Sequence, residues 1–271
     1  MLIGFIFAFN KNLTSSFNSF YVFLAALITG PFIGGGAVVL NQYFDYEEDR
    51  HSSKKREYLL VTGEFNRKNA LTYAILLLLM GILVALYVNL DVFAITLVAS
   101  FCSVIYSAPP LRLKKRMVVD SVTNGICYGV LPTSVGFSIA SSFSYECLII
   151  SLPLFLGYSA GHMLLAIPDA ENDESSDLRT TAVALGYENT VRVAISLFLL
   201  MMVLLAAYIY LRVIPVGTVI ALPIGALILK EQVELLRKGE KTRENTYDRL
   251  SIEFLLMAMT FLAVLLITKW V

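Results

Sequence analysis

Residues 17–40 read FNSFYVFLAALITGPFIGGGAVVL, and residues 41–50 continue with NQYFDYEEDR. The first stretch is apolar and long enough to cross a hydrocarbon core, which takes about 20 residues of helix. The second stretch carries Asn41, Asp45 and Asp49 at i, i+4 and i+8, so on a continuing helix these side chains lie along one stripe. We therefore predict a membrane helix that carries a row of acidic groups to the aqueous edge of the bilayer.

The composition indicates that most of the chain is built from such helices. Hydrophobic residues are 57% of the 271 residues and charged residues are 15%, against about 45–50% and about a quarter in soluble domains. This excess excludes a soluble single-domain protein. We predict eight full spans, at Phe17–Leu40, Ala70–Leu90, Val92–Tyr106, Val118–Ala140, Glu146–Ile167, Val191–Tyr210, Val213–Leu229 and Ser251–Thr268.

The N-terminal sequence MLIGFIFAF is too short to span and is predicted to form the second half of a helix. The predicted fold class is thus an all-α integral membrane bundle of eight full transmembrane helices plus an N-terminal half-helix, in a single domain over residues 1–271. The three cysteines lie in or beside apolar runs and are expected to act as small hydrophobic residues.

Charge divides the links between the spans into two kinds. Four long links, 41–69, 107–117, 168–192 and 230–250, carry 18 of the 21 Lys and Arg residues. They alternate with short links that are almost uncharged, so all four lie on one face of the membrane. Basic loops mark the cytoplasmic face. We therefore expect a protein of a prokaryotic plasma membrane with this face in the cytoplasm.

A second acidic stripe follows the fifth span. Asp169, Asp173 and Asp177 repeat the i, i+4, i+8 spacing. Stacked like charges destabilise a helix by roughly a few tenths of a kcal/mol per pair, and a cation would relieve both stripes. Oxygen ligands favour Mg²⁺ or Mn²⁺ over zinc or copper, and Mg²⁺ takes further oxygens from substrate phosphates. The matched stripes predict two Mg²⁺ ions that hold a diphosphate, and the alternative is that both are solvated helix ends.

Basic residues accompany the acids on the same face. Lys54, Lys55 and Arg56 follow the first stripe, and further cations occupy the next charged link. Membrane anchoring accounts for some of them, but charge-assisted contacts to phosphate also require such groups. The predicted diphosphate-binding residues are Asn41, Lys54, Lys55, Arg56, Arg112, Lys114 and Lys115.

A polar stripe enters the fourth span after the double proline Pro109-Pro110 closes the third. Asp120, Asn124 and Tyr128 run i, i+4, i+8 along this span. An intramembrane carboxylate is a candidate functional group, whereas hydrogen bonding between helices is the structural alternative. His162, in the fifth span, is a weaker candidate for the cavity wall, because a lone His is more often a packing residue.

Together these motifs resemble those of the UbiA-type intramembrane prenyltransferases. Asn41-xxx-Asp45-xxx-Asp49 is similar to the first aspartate-rich motif of that family and Asp169-xxx-Asp173-xxx-Asp177 to the second, with Tyr106-Ser-Ala-Pro-Pro-Leu-Arg-Leu-Lys similar to the signature between them. The resemblance implies nine transmembrane helices around a lipid-open cavity, where two Mg²⁺ ions bind a prenyl diphosphate donor. The chain departs from it in its half-length first helix and in residues 51–63, which replace an Arg-Pro-rich segment.

The resemblance implies transfer of a prenyl group from an allylic diphosphate to a lipophilic acceptor. Asp45, Asp49, Asp169 and Asp173 are expected to bind Mg²⁺, supported by Asn41 and Asp177, with Mn²⁺ able to substitute. Aromatic faces stabilise cations, so Tyr43, Tyr106 and Tyr128 are candidates to hold the allylic cation. Asp120 is expected to take the proton that the acceptor loses, and Asn124 continues its stripe.

The identity of the acceptor is indicated by a resemblance to one branch of the family. The chain looks most like the carotenoid-extending lycopene elongases at Ser53–Glu57, Val119–Gly125, His162 and Thr180-Thr-Ala. An archaeal glycerolipid, a quinone and a porphyrin are alternative acceptors. A secondary transporter is the rival class, but it would place its acids near the middle of the bilayer and show inverted repeats. The net charge of +0 gives no field to recruit nucleic acid, and the oligomeric state is open.

Overall fold

The computed structural model describes residues 1–12, 18–50, 55–175, 179–239 and 244–268. Within these ranges the regular elements are helices, apart from one isolated bridge between Arg116 and Arg179. The helices longer than one or two turns are α1 (Leu2–Asn12), α2 (Ser19–Asp49), α3 (Arg67–Val88), α4 (Leu90–Ser107), α5 (119–140), α6 (Tyr145–Asp169), α7 (Thr181–Tyr210), α8 (Ala221–Lys238) and α9 (Glu244–Ile267).

Six of the helices in the described ranges, α2, α3, α4, α6, α7 and α9, are long and apolar enough to cross a membrane. The apolar helix α1 is shorter, with 11 residues. By composition α5 and α8 fall short of a spanning helix, because α5 carries Asp120, Asn124 and many hydroxyl side chains and the second half of α8 is charged. Length and composition thus support six of the eight predicted spans.

Local sequence explains where these helices begin and how α2 continues. Asn18, Asn66 and Asn89 each accept a hydrogen bond from a backbone N–H in the first turn of α2, α3 and α4, which satisfies groups that have no partner within the helix. Pro31 lies inside α2, where the backbone widens to a π-helix over Ile28–Gly34. Beyond it the helix continues to Asp49, which places the first acidic stripe on a membrane helix as predicted.

From α2 to α9, helices that follow one another in the chain pack side by side, whereas α1 packs along α5 and touches α6 and α9. Two hydrophobic cores hold the bundle together. One joins α2, α3, α4 and α5 around Ile28, Leu78 and Val135. The other joins α1, α5 and α6 to α9 around Phe137 and Phe198.

Hydrogen bonds between links identify the two ends of the bundle. At one end, the Nζ atom of Lys115 lies 3.1 Å from Oε1 of Glu48, which connects the 107–117 link to the end of α2. The hydroxyl group of Tyr187, at the start of α7, donates to the carbonyl oxygen of Leu235 near the end of α8 at 2.8 Å. The bridge between Arg116 and Arg179 joins these two pairs of links. The described parts of the four charged links therefore share this end, called here the charged end.

The short links lie at the opposite end. Asp91 accepts a hydrogen bond from the backbone N–H of Phe143 at 2.9 Å, which ties the α3–α4 link to the α5–α6 link. Lys11, at the end of α1, forms an ion pair with Glu146 at the start of α6. The charged links and the short links thus lie at opposite ends of the bundle, as their alternation along the sequence predicts.

Candidate active site

Both acidic motifs face one polar cavity of about 260 Å³ at the charged end. Asn41, Asp45 and Asp49 reach it from the last turns of α2. Asp169 reaches it from the end of α6, and Asp173 from the short helix Ala170–Ser175 that follows. Residues far apart in the sequence thus bring an amide and five carboxylates, the fifth being that of Glu48, to one cavity.

The carboxylates of the first motif are buried and paired with cations. Asp45 is 6% exposed and accepts a hydrogen bond from Nη2 of Arg112 at 2.7 Å and another from Lys114. Asp49 is 3% exposed and pairs with Nζ of Lys55 at 2.7 Å. Buried carboxylates require such partners, because an unpaired charge is strongly disfavoured away from water.

Lys55 and Lys114 are the predicted cations that line the polar cavity. Lys114 also donates to the amide oxygen of Asn41 at 2.8 Å. Because it is buried, its pKa lies below the ordinary value for lysine, although the neighbouring Asp45 opposes this shift. These two lysines lie where a diphosphate would meet both motifs.

The other predicted cations are not among the described residues that line the polar cavity. Arg112 and Lys115 both contact Glu48, at 2.9 and 3.1 Å, and are not among the described residues that line the cavity. Arg56 is exposed and is likewise absent from that lining. Lys54 lies outside the described residues. The sequence analysis did not consider Glu48, although its position between Asp45 and Asp49 was a signal that it belongs to the same network.

The second motif has a different electrostatic character. Burial, together with the neighbouring Asp169 carboxylate, raises the pKa of Asp173 from 3.8 to about 6. The Thr180 hydroxyl group donates to Asp173 at 3.4 Å. Pro168 interrupts the end of α6, where Ile167–Asp169 forms a 3-10 turn before the next short helix. Asp177, the third predicted ligand, lies outside the described residues.

The donor set in this cavity fits a hard divalent cation that is shared with a ligand. Among the described residues, no three His, Cys, Asp or Glu side chains converge closely enough to hold an ion by themselves, because Asp45 and Asp49 are drawn to Arg112, Lys114 and Lys55. Mg²⁺ commonly binds one or two carboxylates and takes its remaining oxygens from water and phosphate. The carboxylates of the two acidic motifs, among them Asp173 with its raised pKa, line the same cavity and suit that mode of binding.

A second, mostly apolar cavity of about 350 Å³ adjoins the polar one. Asn41, Asp49, Lys55 and Tyr106 line both cavities. The apolar cavity is walled by α2, α4 and α5, and its further lining includes Ile28, Ile33, Ala37, Val38, Ala99, Leu131 and Val135. A ligand with a charged head and a hydrocarbon tail could therefore occupy both cavities at once.

The predicted polar stripe on α5 is not continuous, which corrects that part of the sequence analysis. Asn124 and Tyr128 line the apolar cavity. Asp120 is 1% exposed and instead accepts hydrogen bonds from the backbone N–H of Thr181, at 2.8 Å, and from its hydroxyl group. The physical reason is the close approach of the start of α7, whose N–H and hydroxyl donors satisfy the carboxylate.

Tyr106 and His162 meet at the border between the two cavities. The Tyr106 hydroxyl oxygen lies 3.4 Å from Nε2 of His162, and both side chains line the polar cavity. Asn124 and Tyr106 both line the apolar cavity. Tyr43, in contrast, packs under the guanidinium group of Arg67 at 4.9 Å and is absent from the described lining of either cavity.

Comparison with known proteins finds relatives that match both long and short parts of the chain. The chain is 30% identical to the digeranylgeranylglyceryl phosphate synthase of Thermococcus kodakarensis over 86% of its own length and 80% of that protein. A shorter segment, 33% of this chain and 29% of the other, is 39% identical to the lycopene elongase/hydratase of Haloferax volcanii.

The fold is similar to that of solved structures. A UbiA homolog from Archaeoglobus fulgidus bound to DMAPP and Mg²⁺ superposes with a TM-score of 0.75 at 22% identity, over 98% of this chain and 95% of that one. The same homolog bound to GPP and Mg²⁺ gives a TM-score of 0.73. Residues 1–259 match the UbiA prenyltransferase family. The chain is therefore an integral membrane protein that belongs to the UbiA prenyltransferase family.

Proposed function

We propose that this prenyltransferase uses Mg²⁺ to bind an allylic prenyl diphosphate and transfers the prenyl group to a lipophilic acceptor inside the bilayer. The observation that carries the proposal is the polar cavity, where both acidic motifs face Lys55 and Lys114, joined to an apolar cavity through shared wall residues. The donor's diphosphate occupies the polar cavity, and its hydrocarbon chain extends into the apolar one.

We propose that the metal is two Mg²⁺ ions, which Mn²⁺ can replace. Their ligands would be Asp45, Asp49, Asp169 and Asp173. Asn41 and Asp177 would support these ligands. When bound, Mg²⁺ neutralises charge on the departing diphosphate. Asn41, Lys55 and Lys114 contact the diphosphate, and water exclusion strengthens these contacts. Arg112 and Lys115 act indirectly, because they hold Asp45 and Glu48 in place.

Tyr106 lies where the two cavities meet, so the reacting allylic carbon passes beside it. Its aromatic ring, with that of Tyr128 in the apolar cavity, stabilises positive charge through the quadrupole. Tyr128 is also 48% exposed and packs against Tyr158 with ring centroids 6.1 Å apart. It therefore marks a side of the apolar cavity that is open to lipid, through which an acceptor can enter.

For the acceptor we propose a polyene such as lycopene. The apolar lining suits a hydrocarbon, and the sequence resemblance to lycopene elongases points the same way. A glycerolipid acceptor is the second candidate, because the relative from Thermococcus kodakarensis covers far more of the chain than the relative from Haloferax volcanii. Transfer to a quinone or a porphyrin has less support.

We also propose a single domain that crosses a prokaryotic plasma membrane with eight full helices and the half-helix α1, its polar cavity facing the cytoplasm. Under this proposal α5 and α8 cross the membrane although their composition is less apolar, because neighbouring helices cover their polar side chains.

The test is product analysis with purified enzyme in lipid nanodiscs. Dimethylallyl or geranyl diphosphate is supplied with Mg²⁺ and either lycopene or a geranylgeranyl glycerol ether, and lipids are identified by mass spectrometry. We expect a prenylated acceptor and released diphosphate, both abolished by chelation with EDTA. Failure to release diphosphate from any donor in the presence of Mg²⁺ would refute the proposed function.

A further inference from the structure

Four polar side chains form an unbroken chain that leads from the cavities into the protein core. It begins at Tyr106, whose hydroxyl oxygen is 3.4 Å from Nε2 of His162. Nδ1 of His162 lies 3.2 Å from Oγ of Ser121, which in turn donates to Oδ1 of Asp120 at 3.1 Å. Thr181 anchors the far end through its two hydrogen bonds to the carboxylate.

The direction of every hydrogen bond in this chain follows from the carboxylate. An ionised carboxylate can only accept, so the hydroxyl hydrogen of Ser121 points to Asp120. The lone pairs of Ser121 then face Nδ1 of His162, which must carry a hydrogen to donate to them. A neutral imidazole carries one hydrogen, so Nε2 has a free lone pair and accepts from the Tyr106 hydroxyl group.

Tyr106 is the cavity end of this network. It gives its hydroxyl hydrogen to Nε2 of His162, and it shares the wall of the apolar cavity with Asn124. The network leaves a basic nitrogen directed at the wall residue that lines both cavities.

We propose that His162 is the proton acceptor of the transfer reaction, acting through Tyr106, and that Ser121 and Asp120 are positioning residues that fix its tautomer. This inference rests on the proposed function, and it replaces Asp120 as the group that takes the proton. Asp120 is 1% exposed and already accepts from Ser121 and Thr181, whereas His162 lines the polar cavity beside the site of bond formation.

The proposed transfer breaks one carbon–oxygen bond, forms one new bond to the allylic carbon and moves one proton. The bond between the allylic carbon and the diphosphate oxygen breaks, and the electron pair leaves with the diphosphate. The acceptor's electron pair, from a double bond or a hydroxyl oxygen, forms the new bond to the allylic carbon. The acceptor then loses a proton to the Tyr106 oxygen while Tyr106 passes its own hydrogen to Nε2. The resulting imidazolium is stabilised through Ser121 by the Asp120 carboxylate.

The experiment compares His162→Gln with wild type in nanodiscs, with geranyl diphosphate, Mg²⁺, and either lycopene or the glycerol ether as acceptor. Gln retains hydrogen-bonding groups but cannot take up a proton. We expect transfer to the acceptor to fall about 100-fold. Donor affinity and release of diphosphate with prenyl alcohol, formed when water captures the cation, should stay within about threefold of wild type.

Two further variants separate proton transfer from a structural role. His162→Ala should regain part of its transfer activity when imidazole is added, which a merely structural residue would not do. Ser121→Ala should lower kcat for transfer about tenfold with little change in the donor KM. Ser159→Ala is the matched control, because Ser159 lies one turn from His162 in α6, is buried, and has no hydrogen-bond partner for its hydroxyl oxygen among the described residues. It should transfer like wild type.

The possible failures are distinguishable. Transfer by His162→Gln at nearly the wild-type rate, absence of imidazole rescue, or loss of transfer only in proportion to loss of folded protein would each overturn the role of His162. In all three cases wild-type enzyme still forms the prenylated product, so the proposed function stands. If wild-type enzyme releases no diphosphate, the proposed function itself fails.

Discussion

At the scale of single residues, the two acidic motifs have the same spacing but different surroundings. Asp45 and Asp49 are neutralised by Arg112, Lys114 and Lys55, whereas Asp173 faces Asp169 in a partly buried position. Substitutions in the two motifs should therefore differ in their effect on stability, even if both abolish metal-dependent chemistry. Removing Asp45 leaves buried cations without their partner, a change that is strongly destabilising in general.

Asp173→Asn should abolish prenyl transfer without destabilising the metal-free protein. The folded-state pKa of Asp173 is raised above 3.8 to about 6, so ionisation costs stability, and that cost accumulates as pH rises through this range. The metal-free variant at neutral pH should thus melt no lower than wild type. Added Mg²⁺ should raise the melting temperature of wild type but not of the variant.

The control for this substitution is Glu174→Gln, because Glu174 is an exposed acid adjacent in the chain. It should keep activity and the response to Mg²⁺. Near-normal turnover of Asp173→Asn in saturating Mg²⁺ would contradict the assignment of Asp173 to the metal site.

Lys114→Ala and Lys115→Ala form a second, matched comparison. Lys114 lines the polar cavity and contacts Asn41 and Asp45, whereas Lys115 is absent from the described lining and pairs with Glu48, which belongs to it. A charge-assisted contact contributes about 1.5–3 kcal/mol, so the donor KM of Lys114→Ala should rise at least about tenfold. Lys115→Ala should change it little, and equal effects in steady-state kinetics would argue against this placement of the diphosphate.

At the scale of helices, the position of α1 depends on very close packing against α5. A Cβ atom at Gly4 would lie 2.0 Å from the carbonyl oxygen of Thr133, and one at Gly136 would lie 1.9 Å from the carbonyl oxygen of Met1. Such distances between helix backbones are possible only where a side chain is absent. Helix α1 thus packs directly on the backbone of α5, while the helices that line the apolar cavity are α2, α4 and α5.

Gly4→Ala should therefore separate α1 from α5. Overpacking in a close contact costs about 1–3 kcal/mol or more, so the melting temperature in detergent should fall by several degrees. Gly161→Ala, in α6, is the control, because a Cβ atom there meets no other atom within 4 Å. If both variants melt at the same temperature as wild type, the close contact between α1 and α5 is absent in the membrane.

At the scale of the whole molecule, the charged end joins links that are distant in the sequence. It contains the described residues of all four charged links, the polar cavity and both acidic motifs. The opposite end contains the short links tied together by Asp91 and Lys11. The described lining of the polar cavity includes residues of three of these links, 41–69, 107–117 and 168–192, so the cavity forms only if those three links lie on one side of the membrane.

Cysteine labelling in intact cells tests this topology. Single cysteines at Arg56 and Arg179, both exposed at the charged end, should react with a membrane-impermeant reagent only after the cells are opened. Cysteines at Ser142 and Arg212, exposed at the other end, should react from outside. Cysteines at Arg112 and at Lys241, which lies outside the described residues, should react only after the cells are opened, like those at Arg56 and Arg179. Labelling of Arg56→Cys from outside would overturn the proposed orientation.

Much of this protein is encoded locally and could be predicted from sequence. Apolar length gives the membrane helices, the 3.6-residue period puts Asn41, Asp45 and Asp49 on one stripe, and alternating loop charge gives a common face for both motifs. The direction of Asp120 and the pairing of Arg112 and Lys115 with Glu48 were decided only by tertiary structure. Periodicity specifies which face of a helix a residue occupies. The hydrogen-bond partner of a short polar side chain depends on which donor groups the folded chain places next to it. For Asp120 that donor is Thr181, 61 residues away in the chain.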